Sequence, residues 1–308
     1  MVVGTVEKSQ HESVQWRDRV SSYVALTKPR IVELLLVTTV PAMFLAAGGL
    51  PPWQLILVTQ LGGMFAAGSA NTFNCVLDAD IDEIMRRTRR RPVPRHMISA
   101  RNATIFGGVL AVVSTLVLGL GANWLSAGLA LAANAIYVFV YTMWLKRRTW
   151  QNVVWGGIAG CFPPLIGWTA VTGELAWAPF VMFAIVFLWT PPHTWALAFR
   201  YKDDCAAAGV PMLPVVREPV DVARQIWWYT LATVAVSMVL WPVAPTGWLY
   251  PLVAGVVGAV MVAEAALLWR RARGGATGPQ LKAMRLFHWS NSYLAILFLA
   301  IAIDPLLL

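Results

Sequence analysis

The feature that most constrains the fold is a series of long apolar runs separated by short polar segments. Each run is close to the roughly 20 residues that an α-helix needs to cross the hydrocarbon core of a bilayer. Only 13% of the 308 residues are charged, against about 25% in soluble domains. The sequence therefore predicts an all-α integral membrane protein with nine transmembrane helices. The predicted runs cover residues 31–49, 53–73, 103–121, 124–144, 153–172, 177–199, 227–243, 247–269 and 287–308.

The Lys and Arg residues predict the orientation, because cytoplasmic loops of membrane proteins are enriched in both. With nine helices, all 24 fall in the N-terminal tail or after the second, fourth, sixth and eighth helices. We therefore expect a multi-pass plasma-membrane protein with a cytoplasmic N-terminus and an outward C-terminus. Residues 1–22 are expected to form a polar cytoplasmic tail, and residues 23–308 a single transmembrane domain. The net charge of +9 is explained by this bias, so no nucleic-acid partner is expected.

Polar side chains line one face where the second predicted helix ends. Asn74, Asp78 and Asp82 are spaced four residues apart, so each lies about 40° around and roughly 6 Å along the helix from the one before. Asp80 is predicted to point elsewhere. Acidic groups in a row repel each other, and a cation among them is the simplest explanation. Oxygen ligands that leave part of the coordination shell open suit Mg²⁺. The alternative is a solvated helix end.

A basic cluster follows directly, with five arginines in residues 86–91. Guanidinium groups bind phosphate through two parallel hydrogen bonds, so acids followed by arginines suggest a site for a metal–pyrophosphate complex. Arg87 and Arg91 are the candidates for this role. For the cluster as a whole, the alternative of a positive-inside anchor is favoured.

A second polar segment follows the sixth predicted helix. His193 comes directly after a Pro pair, which frees backbone carbonyls and kinks a helix. Tyr201, Lys202, Asp203 and Asp204 then follow. The acids and the lysine are suited to complete a second cation and phosphate half-site.

Together these segments resemble the UbiA-type intramembrane prenyltransferases. Residues 74–82, with Met-Arg-Arg-Thr at 85–88, are similar to the first Asp-rich motif of that family. Trp-Thr-Pro-Pro-His at 189–193, Tyr-Lys-Asp-Asp at 201–204 and Ala-Gly-Val-Pro-Met-Leu-Pro at 208–214 are similar to the second conserved region of one branch. The resemblance covers nearly the whole chain and implies a UbiA-type helix bundle. For that branch it also implies transfer of the farnesyl group of farnesyl diphosphate to a vinyl group of haem b, with addition of water.

The resemblance further implies Mg²⁺ as the cofactor and assigns roles to the polar residues. One Mg²⁺ is assigned to Asn74, Asp78 and Asp82. Asp203 and Asp204 are assigned either to a second Mg²⁺ or to the orientation of water. The candidates for substrate binding, beside Asn74, are Arg87, Arg91, Lys202, Tyr201 and His193. The catalytic candidates are Asp78, Asp82, Lys202, Asp203 and Asp204.

His193 has two interpretations. Imidazole is a common haem ligand, so this residue is a candidate to bind the iron or to position the acceptor. The alternative is a histidine that satisfies a carbonyl freed by the Pro pair.

Farnesyl diphosphate, haem b and the lipid bilayer are the expected partners, and the resemblance implies terminal-oxidase haem-delivery proteins as further candidates. Two other functions remain open. One is a prenyltransferase with an aromatic acceptor, against which the Lys-Asp-Asp segment argues. The other is a transporter, but transporters keep ionisable residues near the bilayer midplane, whereas here the acids lie at helix ends. The active site is therefore expected to face the cytoplasm.

Overall fold

A computed structural model describes residues 16–308, without the side chains of residues 30–36. This part of the chain is α-helical and contains no β-strand. Residues 1–15, which make up most of the predicted polar tail and include Lys8, lie outside the described residues. Residues 16–22, also assigned to that tail, are helical.

The helices follow one another with short connections. Two of them change character along their length, because α6 continues as a π-helix and α7 reaches α8 through a 3₁₀ turn. In chain order the elements are α1 (16–27), α2 (Pro29–Ala47), α3 (Trp53–Leu77), α4 (Ala79–Ile84), α5 (Ala100–Gly121), α6 (Trp124–Ala135) with the π-helix Ile136–Leu145, α7 (Asn152–Gly156) with the 3₁₀ turn Gly157–Cys161, α8 (Phe162–Thr172), α9 (Trp177–Arg200), α10 (Lys202–Ala207), α11 (Leu213–Val216), α12 (Pro219–Val243), α13 (Leu249–Arg273), the 3₁₀ turn Gly278–Leu281, α14 (Ala283–Ile303) and the 3₁₀ turn Asp304–Leu306.

A helix overlaps each of the predicted apolar runs, but several helices extend beyond them. The clearest case is α12, which begins at Pro219 although the run begins at residue 227. Proline is favoured in the first turn of a helix, where its missing N–H has no partner to lose. The first two turns of α12 are polar but still helical. Hydropathy therefore locates the lipid-facing part of the helix and not its first residue.

Seven helical segments of the described residues are long and apolar enough to cross a membrane. Helix α3 is not among them, although it is 25 residues long, because polar residues such as Gln54, Gln60 and Asn71 lower its hydropathy. In α2, only the apolar stretch Val37–Ala47 is counted, and it is shorter than a full span. The seven segments are Ala100–Gly121, Trp124–Leu145, Asn152–Thr172, Trp177–Arg200, Pro219–Val243, Leu249–Arg273 and Ala283–Leu306.

Helix α9 lies at the centre of the C-terminal half and packs against α12 and α14, while α14 also packs against α2. It stays helical through Pro191 and Pro192, and both prolines are buried. The Trp189 indole N–H, one turn before them, donates to the Ser290 carbonyl of α14 over 2.8 Å. The Pro-containing part of α9 is therefore held against α14.

Contacts between distant segments bring several polar connections to one end of the bundle. Lys28, before α2, bonds Asn74 near the end of α3, and Lys146 follows the π-helix and bonds Asp78. The basic segments that contain Lys28 and Lys146 therefore lie close together at the end of α3. At the opposite end of the bundle, Asn123 before α6 donates to the Thr169 carbonyl of α8 over 2.6 Å.

Candidate functional site

A buried cluster of acids and cations lies where α3 ends. Asp78 is fully buried, and the Lys146 ammonium bonds its Oδ2. Asn74 donates from Nδ2 to the same oxygen over 2.7 Å, while its Oδ1 accepts a hydrogen bond from Lys28 Nζ at 2.6 Å. Two lysines from distant parts of the chain therefore meet at the Asn74–Asp78 pair.

The predicted polar stripe continues across the junction of α3 and α4. The Asp78 N–H donates to the Asn74 carbonyl over 3.0 Å, and the Asp82 N–H donates to the Asp78 carbonyl over 2.8 Å. Hydrogen bonding between residues four apart therefore persists through the junction and keeps the three side chains on one face. Asp82 is also buried, and its Oδ2 accepts from Arg91 Nη1 at 2.5 Å.

Asp80 points away from this face, as its position in the helix predicts. Its side chain is 62% exposed and pairs with Arg147, which donates to both carboxylate oxygens over 2.6 Å. These hydrogen bonds lower the pKa of Asp80 below its usual value. The Arg147 Nη2 that bonds Asp80 Oδ1 also lies 4.0 Å from Asp78 Oδ1, so this arginine stands between the exposed and the buried acid.

Lys28 and Lys146 are the functional candidates that the sequence analysis missed, because it treated both as topology anchors. Burial, together with the neighbouring charges of Arg91 and Lys146, lowers the pKa of Lys28 to about 8. The Lys28 backbone is left-handed, with φ 52°, a conformation that costs energy in residues other than glycine. A lysine directly before the proline that begins a helix was the available sequence signal.

Lys146 and Arg91 form ion pairs with Asp78 and Asp82 and place positive charge beside both acids. Among the described residues, no group of three or more His, Cys, Asp or Glu is arranged to hold a metal ion. One buried atom nevertheless fits a metal, because Asp78 Oδ1 has no hydrogen-bond partner in this part of the chain. A buried carboxylate oxygen that accepts no hydrogen bond is costly, even with the Arg147 charge 4.0 Å away, and a hard cation is the ligand that suits it.

The second polar segment contacts the first through Tyr201. The Arg87 guanidinium lies 5.3 Å from the centroid of the Tyr201 ring, within the range of a cation–π contact. A small apolar cluster joins the same two segments and consists of Ile81, Met85, Cys205 and Val210. The two predicted motifs are thus neighbours on one end of the bundle.

Asp203 and Asp204 do not form an ion pair within the described residues, and Lys202 is exposed to solvent. Asp203 is exposed, whereas Asp204 is half-buried beside Cys205. Burial raises the pKa of the Cys205 thiol; the positive charge of Arg87 opposes this shift and the negative charge of Asp204 adds to it. Of the two acids, Asp204 is the less exposed and lies directly before Cys205, which packs against the first motif.

His193 lines a largely apolar cavity of about 370 Å³ within the bundle. Its ring stacks on Trp189, with 4.2 Å between ring centroids, and its centroid also lies 4.6 Å from that of Phe287. Its Nδ1 bonds Ser290 Oγ at 2.8 Å, so this contact is not to a carbonyl freed by the Pro pair. Asn71 also lines the cavity, and Asn74 of the charged cluster lies one turn further along the same helix.

A charged, buried site at the end of an apolar helix bundle defines an intramembrane enzyme for an amphiphilic substrate. The sequence pattern of the UbiA prenyltransferase family matches residues 35–291. The chain belongs to this family. It is 66% identical over 291 residues to the protoheme IX farnesyltransferase of Cutibacterium acnes, covering 94% of this chain and 86% of that protein. It is 58% identical over 301 residues to the protein of that name from Nocardioides sp., covering 98% and 96%.

Solved structures share the fold at low sequence identity. A structure of digeranylgeranylglyceryl phosphate synthase superimposes with a TM-score of 0.77 at 16% identity, over 94% of this chain and 99% of the other. A UbiA homologue from Archaeoglobus fulgidus, described as bound to DMAPP and Mg²⁺, superimposes with a TM-score of 0.61 at 17% identity, over 92% and 99%. The predicted UbiA-type, all-α bundle is confirmed.

Proposed function

We propose that this chain is a farnesyltransferase that joins the farnesyl group of farnesyl diphosphate to a vinyl group of haem b, adds water and releases diphosphate. The high identity to protoheme IX farnesyltransferases supports this acceptor. The observation that carries the proposal is the charged cluster around Asp78, placed one helical turn beyond an apolar cavity. A diphosphate head and an isoprenoid tail need these two environments next to each other.

The charged cluster is suited to stabilise a departing diphosphate. Asn74, Asp78 and Asp82 bind one Mg²⁺ in this proposal, and Asp203 and Asp204 bind a second ion or orient water. Bound Mg²⁺ supplies positive charge to the diphosphate oxygens. Basic side chains add direct hydrogen bonds to the same oxygens. The sequence offers Arg87, Arg91 and Lys202 for this role, and the structure adds Lys28 and Lys146. Charge fixed in advance around a leaving group lowers the barrier to its departure.

The cavity is suited to hold the farnesyl chain and the reacting carbons. Its wall includes Tyr137, Trp189 and Phe162 and is mostly apolar. Such a wall excludes water, which would otherwise capture an allylic cation before the vinyl group of haem b attacks it. Water then adds to the resulting porphyrin side-chain cation and loses a proton, which leaves the hydroxyl group.

The arrangement in the membrane is part of the proposal. We propose nine transmembrane helices in one domain over residues 23–308, with a cytoplasmic N-terminal tail, an outward C-terminus and a plasma-membrane location. The charged cluster then faces the cytoplasm, where farnesyl diphosphate is delivered as a soluble anion. Terminal-oxidase haem-delivery proteins are the proposed partners that receive the product.

The decisive experiment is farnesyl transfer by the purified chain in detergent, with haem b, farnesyl diphosphate and Mg²⁺. The product is read by chromatography and mass spectrometry as haem b that has gained a farnesyl group and a hydroxyl group. We expect removal of Mg²⁺ by a chelator to stop turnover. Asp78→Asn is expected to lower kcat by about 100-fold or more, as the loss of one group that stabilises developing charge does. Asp80→Asn is the matched control, because this acid is exposed and points away.

Two results would contradict the proposal. Prenylation of a phenolic acceptor without any haem product would move the chain to the aromatic branch of the family. Full turnover by both Asp78→Asn and Asp82→Asn would remove the metal assignment.

A further inference from the structure

The His193 ring makes three side-chain contacts, and only one of them uses a ring nitrogen. Trp189 and Phe287 lie 4.2 and 4.6 Å from it between ring centroids, and Ser290 Oγ bonds Nδ1 at 2.8 Å. No described residue forms a hydrogen bond with Nε2, and the side chain is half-buried against the cavity that it lines. Nε2 is therefore the edge of the ring that is available to a molecule in the cavity.

The hydrogen bonds of Ser290 decide which nitrogen carries the proton. A hydroxyl group donates one hydrogen bond and accepts up to two. Ser290 Oγ donates its proton to the Phe287 carbonyl over 2.8 Å. It is therefore an acceptor toward His193, so Nδ1 must carry the hydrogen that lies between them. Neutral imidazole has a single N–H, and Nε2 is left with its lone pair.

Ser290 is itself held in place by more than this one pair. Its side chain is fully buried, and its carbonyl accepts the Trp189 indole N–H over 2.8 Å. The same residue thus fixes the stacking partner of His193 through its backbone and the ring tautomer through its hydroxyl. Both contacts join α9 to α14, so the orientation of the imidazole depends on this helix pair.

We infer that Ser290 is a positioning residue that holds His193 in the Nδ1–H tautomer, so that Nε2 presents its lone pair to the iron of the haem acceptor. This inference deepens the proposed function and rests on it for the identity of the acceptor. Histidines that bind metals almost always donate their second N–H to a neighbouring acceptor, and loss of that acceptor typically costs 10- to 100-fold in affinity or activity. Coordination from α9 places the porphyrin in the same cavity as the isoprenoid chain.

The tautomer is tested without substrate, by NMR of the full chain in detergent with ¹⁵N-labelled histidine. The His193 signals are assigned with His193→Gln, which removes them from the spectrum of the four histidines. We expect a protonated Nδ1 and an unprotonated Nε2 in the wild-type chain. A protonated Nε2 would overturn the inference whatever the chain catalyses.

Iron coordination is tested by titration of haem b, followed by absorbance and electron paramagnetic resonance. We expect a histidine-ligated spectrum for the wild type, its loss in His193→Gly, and its return when imidazole is added. Ser290→Ala is expected to weaken haem b binding about 10- to 100-fold and to raise the KM for haem b but not for farnesyl diphosphate. Ser290→Thr, which keeps the hydroxyl, is expected to retain the ligated spectrum.

Ser292→Ala is the matched control, because this exposed serine lies on the same helix and its hydroxyl donates to its own helix, at the His288 carbonyl. An unchanged spectrum and haem affinity in folded His193→Gly would overturn the coordination. If the wild type transfers farnesyl and Ser290→Ala keeps its haem spectrum, haem affinity and KM, the role of Ser290 is refuted and the proposed function stands. If the wild type binds haem through His193 but transfers no farnesyl group, the proposed function is refuted and the haem contact stands.

Discussion

Lys146 bonds the fully buried carboxylate of Asp78, so its removal tests the charged cluster. Lys146→Met is expected to lower the free energy of unfolding by about 3 kcal/mol, because it leaves a buried charge without its partner. It is also expected to lower turnover, since one diphosphate contact is lost. Lys146→Arg keeps the charge and should recover most of the stability. It should recover less of the activity, because the larger, planar guanidinium directs its hydrogen bonds differently from the compact ammonium group.

The measurements are thermal unfolding in detergent and the farnesyl transfer assay. Arg148→Met is the matched control, since Arg148 is exposed two residues further on and forms no ion pair within the described chain. Equal stability of Lys146→Met and Arg148→Met would show that the Asp78 contact is not structural.

Asp203 and Asp204 are predicted to contribute unequally to turnover. Neighbouring positions on a helix point about 100° apart, so both carboxylates cannot face Arg87. Asp204 is the half-buried one beside Cys205. We expect Asp204→Asn to lower kcat/KM for farnesyl diphosphate at least tenfold more than Asp203→Asn does. Equal losses would instead indicate that the short helix α10 rearranges around the substrate.

At the residue scale, the sequence predicted the acids better than the cations. The interval of four residues places Asn74, Asp78 and Asp82 on one face through local helix geometry alone, and the structure keeps them there. The roles of Lys28 and Lys146 depend on contacts across 46 and 68 positions of the chain. No local pattern encodes such contacts: the proline after Lys28 marks its position but not its partner, and Lys146 carries no such mark.

At the scale of elements, the positions of the long helices follow from apolar runs, whereas their irregular segments do not. The π-helix Ile136–Leu145 has the composition of an ordinary apolar helix. Its wider turns fit the bundle around it, since the Tyr141 ring packs where Gly156 has no side chain. The break between α3 and α4 at Asp78 is likewise not predictable from the sequence, because no Pro or Gly lies next to it.

Asp304 links the last turn of the chain to the start of α13, and its loss tests a cap that acts across the fold. The buried carboxylate accepts hydrogen bonds from the Tyr250 N–H at 3.0 Å and from the Gly247 N–H. Acids near a helix N-terminus satisfy free N–H groups and interact favourably with the helix dipole. We expect Asp304→Asn to lower the free energy of unfolding by about 1–2 kcal/mol.

The measurement is again thermal unfolding in detergent. Asp221→Asn provides the control, because Asp221 forms an exposed pair with Arg224 at 3.0 Å, and such pairs contribute about 0–1 kcal/mol. Similar losses in both variants would contradict the capping role of Asp304.

At the scale of the whole molecule, the outer surface agrees with a lipid environment. Large apolar side chains are exposed along the helices, among them Leu116, Val256 and Leu299. Such a surface is unfavourable in water and suits hydrocarbon. Trp53 and Trp177, at helix N-termini, are 68% and 80% exposed, which is typical of aromatic side chains at a membrane interface.

The orientation of the bundle is the prediction that involves the entire chain. An odd number of spans puts the C-terminus on the side opposite the basic loops, so alkaline phosphatase fused after Leu308 is expected to be active outside the cell. A fusion after Arg148 should be inactive, because this basic connection is predicted to stay in the cytoplasm. A fusion after Gly173, between α8 and α9, is the outward control. An active Gly173 fusion with an inactive C-terminal fusion would mean an even number of spans. Helices α2 and α3, which are not among the seven long apolar segments, would then be the first to reconsider as spans.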